Sequence, residues 1–349
     1  MVDKIKKILP ALGLLLFYFA MVQLRKERII TNYHLQIVMF ALINSMVTLG
    51  LNLVNGITGQ FSIGQAGFVS VGAYSSAVVT TLLFNFGGLH AYMKPLVFLL
   101  SIGVAGVTSG ICGYLIGRPS LRLKGDYLAI VTLAFGEILR AIIRCIPQVG
   151  GPRGFTGIPR YSSLGWIVFF FGLTVWLMRN YIYSSSGRAC ISIREDELAS
   201  ETMGVDTTRY KVQAFVIGAV TAGVAGALLA HVLAFLHPDQ FNYTRSTDFL
   251  VYLYAGGAGT MSGAIVGASV LTVLLEGLRF IGDGGMFGLF ASWDISRFVS
   301  TDIKEWRLVI YGLLLVITML FRPHGLCNGK EFPFLVPRLK RRAEKEAEA

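Results

Sequence analysis

RACISIREDELASETMGVDTTRYKVQAF (residues 188–215) is the stretch on which the fold turns. It is polar and charged, yet it joins two apolar runs, 164–183 and 211–235, each near the roughly 20 residues that cross a bilayer as a helix. The segment itself reads as a short helix. Ser192 and Glu195 stand at capping-box spacing, Asp196 and Glu197 fall in a first turn whose partial positive charge favours them, and Gly204 is placed to terminate. The expected helix runs from Ile193 to Met203, roughly 16 Å. On it Leu198, Ala199, Thr202 and Met203 form one low-polarity stripe, and Glu197 and Glu201 a neighbouring acidic face. Two readings are open: a solvated connector, or a handle for a soluble partner.

Composition makes the surrounding chain an integral membrane protein. Of 349 residues, 54% are hydrophobic and 15% charged, with a mean hydropathy of +0.62, whereas soluble domains carry about a quarter charged residues. The net charge of +11 does not point to nucleic acid, because the basic residues are scattered over short loops and the tail. Orientation in the membrane accounts for them better. Cys112, Cys145, Cys190 and Cys327 show no metal-type or CxxC spacing, so no disulfide framework is indicated. The N-terminus has a basic start and an apolar run but no small-x-small cleavage site, and reads as a first membrane helix rather than a cleaved signal.

Plain spans are expected at about 8–24, 35–54, 95–117, 126–145, 164–183, 211–235 and 306–321. Two further regions, GITGQFSIGQAGFVSVGAYSSAVVTTLLF (56–84) and DFLVYLYAGGAGTMSGAIVGASVLTVLLEGL (248–278), are apolar but broken by Gly, Ser and Gln. The loop RPSLRLKGD carries Arg118, Arg122 and Lys124, and the tail carries Arg338, Lys340, Arg341, Arg342 and Lys345, so both should face the cytoplasm. Parity then puts 188–210 inside as well, makes 56–84 a single crossing, and sends 248–278 in and back out. The expectation is an all-α, polytopic helical bundle of nine to ten membrane segments with discontinuous or re-entrant Gly-rich helices and both termini cytoplasmic. The membrane-spanning body covers 1–326 and a charged cytoplasmic tail 327–349. Arg25, Lys26 and Arg28 fall outside in this scheme, an exception to a rule that is a bias over many loops.

The two broken regions resemble each other, as the halves of a degenerate internal repeat would. Small residues at four-residue spacing, Gly218, Ala222, Gly226 and Ala230, then Gly259, Gly263 and Gly267, and Gly106 with Gly110, mark faces where helices should touch each other rather than lipid.

No catalytic site is encoded. There is no phosphate-binding loop, so the chain should not hydrolyse ATP, and no metal motif; the five histidines are dispersed. No cofactor or metal is expected. Intramembrane polar residues remain the functional candidates. Glu137 lies in TLAFGEILRAIIR, where Arg140 and Arg144 would neutralise it. Asn52, Asn55, Gln60, Ser62 and Gln65 surround glycines that let backbone line a cavity; polar packing between helices is the competing reading.

Five blocks carry a resemblance: NLVNGITGQFSIGQAGFVSVGAYSSAV (52–78), LRLKGDYLAIVTLAFGEILR (121–140), GGPRGFTGIP (150–159), the run 187–230 and WRLVIYGLLLVITMLFRPHGL (306–326). In this order they resemble the membrane permease subunits of branched-chain amino-acid ABC importers, the LivM-like group, over about residues 40–326. The resemblance implies a pore made with a homologous second permease subunit, driven by two cytoplasmic ATPase subunits and fed by an extracytoplasmic substrate-binding protein, in the bacterial inner membrane among its lipids. It gives 188–210 the role of a coupling segment seated on an ATPase, with Arg194, Glu195, Glu197, Ala199 and Gly204 at the matching positions and Leu198 beside them. The wider importer pattern, Glu-Ala-Ala before a Gly, is met loosely, since Leu198, Ala199 and Ser200 occupy those places. The pathway would run along the Gly-Ser-Gly stretch 59–67, which holds Gln60, Ser62 and Gln65, while Asn52, Asn55 and Glu137 are pathway candidates from their polarity at membrane depth. Arg153 stands where the group usually has a polar residue or Asn, which leaves substrate identity open. A urea or short-chain amide importer is an alternative within the class. An ion-coupled secondary transporter is an alternative outside it, disfavoured by the lack of a buried titratable series.

Overall fold

A computed structural model describes residues 18–23, 31–83, 93–123 and 125–282, with positions 312, 313, 316, 320, 321, 325–327, 329–332 and 335. The expected spans 8–24 and 306–321 fall largely outside the described residues, as do 327–349 apart from a few tail positions.

Helix α1, Asn32–Leu51, runs on as a π-helical stretch over Asn52–Ile57. The widening has a local cause: both the amide and the hydroxyl of Thr58 bond to the Leu53 carbonyl five residues back, at 3.1 and 2.8 Å. After a break comes α2, Gln65–Val78, then α3, Lys94–Ser120, α4, Asp126–Cys145, and α5, Leu164–Ile182. Two short helices follow, α6, Ser185–Glu195, and α7, Glu197–Thr202. The chain continues as α8, Thr207–Leu233, α9, Tyr243–Gly256, and α10, Met261–Gly282. Among the described residues there is no β-strand; Phe155 and Leu236 form one isolated bridge.

The helix positions agree with the plain spans read from 35–54, 95–117, 126–145, 164–183 and 211–235. Among the described residues four helices are long and apolar enough to cross a membrane, Asn32–Ile57, Lys94–Ser120, Leu164–Ile182 and Thr207–Leu233. The pair α9 and α10, bent by 120° at residues 257–260, makes a fifth candidate. A bend of this kind makes either one broken span or the in-and-out passage that the parity count of 248–278 expects. Helix α4 has the expected length but carries Asp126, Glu137, Arg140 and Arg144.

The 27-residue α8 is the central post, packed on α1, α2 and α3. Its small residues are what allow this. A methyl group at Gly226 would strike the carbonyl of Val69, and one at Gly223 would strike Ser109 and come within 2.7 Å of the Ala105 carbonyl. The Gly106–Gly117 face of α3 meets Val224, Val220, Ala219 and Phe215 on the same post. The stripes on α8 and α3, with Gly263 and Gly267 on α10, are therefore helix contacts, where backbones approach more closely than larger side chains allow, whereas Gly259 lies in the turn before α10. Leu99, Val107, Ile111 and Leu115 on α3 and Phe169, Leu173 and Trp176 on α5 face outward, as apolar surface does in lipid.

Contacts between distant segments define two poles. At one, Phe155 and Leu236 exchange backbone hydrogen bonds at 2.7 and 3.0 Å, and the Pro152 carbonyl lies 3.1 Å from His237 Nε2. At the other, Arg194 at the end of α6 meets the breaks at 58–64 and 257–260, and tail residues join α9 and α5. There Leu326 N–H donates to the Ala255 carbonyl at 2.9 Å, and Arg179 Nε to the Leu335 carbonyl at 2.8 Å.

Candidate functional site

The segment 188–210 differs in detail from its sequence reading. Instead of one helix from Ile193 to Met203 there are two, divided at Asp196. Ser192 is not a cap: its hydroxyl bonds back to the Ala189 carbonyl at 2.9 Å. Asp196 is the cap, in extended backbone, its carboxylate accepting from the Ala199 amide at 3.0 Å. The signal was present, since Asp directly ahead of Glu-Leu-Ala-Ser is as good a start as Ser192, but the capping-box spacing pointed to the earlier residue. Gly204 ends α7 as expected. Its φ is +84°, its amide bonds the Glu201 carbonyl at 2.9 Å and that of Val205 the Ser200 carbonyl at 3.0 Å, the paired closure that favours Gly at this position.

One face of α7 is fastened down and the other is open. Glu197 pairs with Lys211 Nζ at 2.7 Å, where Lys211 is only 3% exposed, and Glu201 accepts from the Thr207 hydroxyl at 2.7 Å. The acidic face expected from Glu197 and Glu201 is thus turned onto the foot of α8 instead of toward a partner. Ser200 and Ile193 are buried beneath. Leu198 and Met203 stand 70% and 84% exposed, with Ala199 and Thr202 also open beside them. Lys211 was missed because a lone cation at the start of an apolar span has no sequence signal tying it to Glu197.

Arg194, in the last turn of α6, points back into the bundle. Its Nη1 donates to the Gly56 carbonyl at 3.0 Å, while Nε and Nη2 bond Glu195 at 3.1 and 2.5 Å. Cys190, the obvious native probe for this side, is fully buried beside Tyr181, and burial pushes its thiol up. It is a poor labelling site.

The polar residues around the first break are brought together, largely inside the chain. Asn52 donates to the Thr260 carbonyl at 3.1 Å and accepts from the Gly259 amide at 2.8 Å, so the two broken regions touch. Asn55 both donates to and accepts from the Ser62 backbone, at 3.1 and 3.2 Å, and Gln65 donates to the Gly218 carbonyl at 3.1 Å. Gln60 is half-buried, and the buried Ser62 hydroxyl finds no hydrogen-bond partner among the described residues. Glu137 stands apart from this group. It pairs with Arg140 at 2.8 Å, as the spacing predicted, but Arg144 pairs with Asp239 at the opposite pole.

Two braces were not foreseen. Glu331 caps α10, accepting from the amides of Met261 and Ser262 at 2.6 and 3.2 Å. Arg245 bonds Asn44, which in turn bonds Thr272, both at 2.9 Å. No group of His, Cys, Asp and Glu among the described residues is arranged to hold a metal ion.

Comparison with known proteins returns a consistent set. A family model described as a branched-chain amino acid transport system permease component matches residues 33–319. The permease protein LivM of the high-affinity branched-chain amino acid transport system is 32% identical in both Salmonella typhimurium and Escherichia coli K12, over 84% of this chain and 68% of the relative. The permease protein LivH of that system in Escherichia coli K12 is 23% identical, over 82% and 92%. No solved structure matches significantly.

Proposed function

The chain belongs to the family of branched-chain amino-acid transport permease components, and from that premise we propose that it forms, with a homologous second permease subunit, the membrane conduit of an ABC importer for branched-chain or other hydrophobic amino acids. It is a transport subunit and not an enzyme. Two cytoplasmic ATPase subunits drive the importer and an extracytoplasmic binding protein loads it, at the inner membrane of a bacterium. The chain crosses in nine or ten segments with both termini inside.

The observation that carries this reading is the asymmetry of α7. A helix fastened to α8 through Glu197 and Glu201 while Leu198 and Met203 stay open is built to transmit force from something seated on its open face. Exposed apolar side chains grouped on a rigid element mark a contact surface, and α7 sits at the pole where both breaks in the bundle lie. Beside the first break we place the conduit, along Gln60, Ser62 and Gln65 with Asn52 and Asn55 behind them. The unpartnered Ser62 hydroxyl supports this placement, since a buried hydroxyl at membrane depth is costly unless water reaches it.

The test is uptake of radiolabelled leucine by cells with and without this chain, with valine, isoleucine and urea as competitors. The expected result is ATP-dependent uptake that requires the chain and is competed by valine and isoleucine. Competition by urea alone would identify the amide importer. Uptake that continues without the ATPases and follows an ion gradient would make the chain a secondary transporter.

A further inference from the structure

We propose that Arg194 is the positioning residue that links the ATPase-facing segment to both discontinuities of the membrane bundle at once. The inference rests on the reading of α7 as the docking helix. Arg194 lies two residues before the Asp196 division, in the last turn of α6. Its side chain, 38% exposed, holds Glu195 on its outer edge and donates from Nη1 to the Gly56 carbonyl on its inner edge. That carbonyl is at the end of the π-helical stretch, where the Gln60 amide has turned to Val54 at 3.0 Å, so a donor from outside the helix is what completes it.

The second break closes on the same point. A Cβ added to Gly259 would lie 3.2 Å from Arg194 Nη1 and 3.5 Å from the Gly56 carbonyl oxygen, and one added to Gly59 would lie 2.8 Å from Arg194 Cγ. Gly59 and Gly259 have φ of +73° and +86°, and a Cβ on Gly56 would collide with Asn52 and the Gly259 amide. Three glycines thus make a socket that only backbone can line, with the arginine stem and head as the plug. Asn52, bonded to both Gly259 and Thr260, fixes the two breaks to each other beneath it. Packed contacts of this kind do not stretch; a displacement of α6 either moves both breaks or breaks the hydrogen bond.

The experiment uses the complete importer, both permeases with the ATPases and the binding protein, purified and reconstituted in liposomes. ATPase recovered per permease, ATP hydrolysed, and leucine taken up per ATP are measured for Arg194→Ala, Arg194→Lys and Leu198→Asp. Arg194→Ala should keep its ATPases and continue to hydrolyse, while leucine per ATP falls about tenfold, the scale of one charge-assisted hydrogen bond. Arg194→Lys, which keeps the stem on Gly59 and one donor for Gly56, should recover part of this and fall about threefold. Unchanged leucine per ATP in Arg194→Ala would overturn the proposal. Loss of bound ATPase in that variant would also overturn it, by placing Arg194 in the docking face. If Arg194→Ala does not reach the membrane, Arg194→Lys decides by the same ratio. Leu198→Asp should shed its ATPases; if it keeps them, the docking reading fails while the Arg194 result still stands or falls on its own ratio.

Discussion

Lys211 shows what a single residue does at the membrane edge. An ammonium group 3% exposed and 2.7 Å from Glu197 is tolerable only as part of its pair, and removing one partner leaves the other facing protein. Lys211→Met should therefore lower stability by about 1–2 kcal/mol, less than for a fully buried pair because Glu197 is 27% exposed, read as a fall in Tm of the detergent-solubilised chain. The double variant Lys211→Met with Glu197→Gln should regain most of that loss, since both charges are then gone; a double variant no more stable than the single one would show that the pair does not act as a unit. Cys190 gives a second check at this scale. Buried against Tyr181 with its thiol pushed up, it should resist an impermeant maleimide in the folded protein and react on unfolding. Rapid labelling of the native chain would mean that the α5–α6 corner is open.

Among the elements, α8 carries the most severe constraint and α7 the mildest. Gly226→Val would force its side chain into the Val69 carbonyl, with no flexible neighbour to yield, and should remove most of the protein from the membrane. Normal levels of that variant would contradict the close approach of α2 and α8. Gly204→Ala meets nothing in space but must adopt φ +84°, and should cost about 1 kcal/mol without lowering expression. These contrasts also explain what the sequence disclosed. Runs such as 95–117 and 211–235 were legible because length and hydropathy suffice at membrane depth, and the small-residue stripes because backbone contact requires them. The division of 188–210 at Asp196 was not, because two capping signals, Ser192 and Asp196, lay four residues apart, and the winner was set by Lys211 and Thr207 receiving Glu197 and Glu201 from another helix. The socket of Gly56, Gly59 and Gly259 was visible only as two Gly-rich breaks. Nothing local tells that segments two hundred residues apart touch, or that an arginine from a third joins them.

At the scale of the whole molecule, the two poles and the open face of α7 make one claim: a cytoplasmic partner sits on Leu198, Ala199, Thr202 and Met203, and the bundle above responds. On the parity proposed for the spans, this face lies inside the cell and the Arg144–Asp239 pole outside, which would place exposed Cys145 near the outer surface. The most direct measurement is site-specific cross-linking of the intact importer. With Met203→Cys, whose native side chain is 84% exposed, and a short bis-maleimide, the account predicts a covalent permease–ATPase product that forms in inverted vesicles and is absent when the linkage is attempted from Cys145. Failure of position 203 to link to the ATPase in a complex that still hydrolyses ATP and takes up leucine, or labelling of that cysteine by an impermeant reagent from outside intact cells, would contradict it.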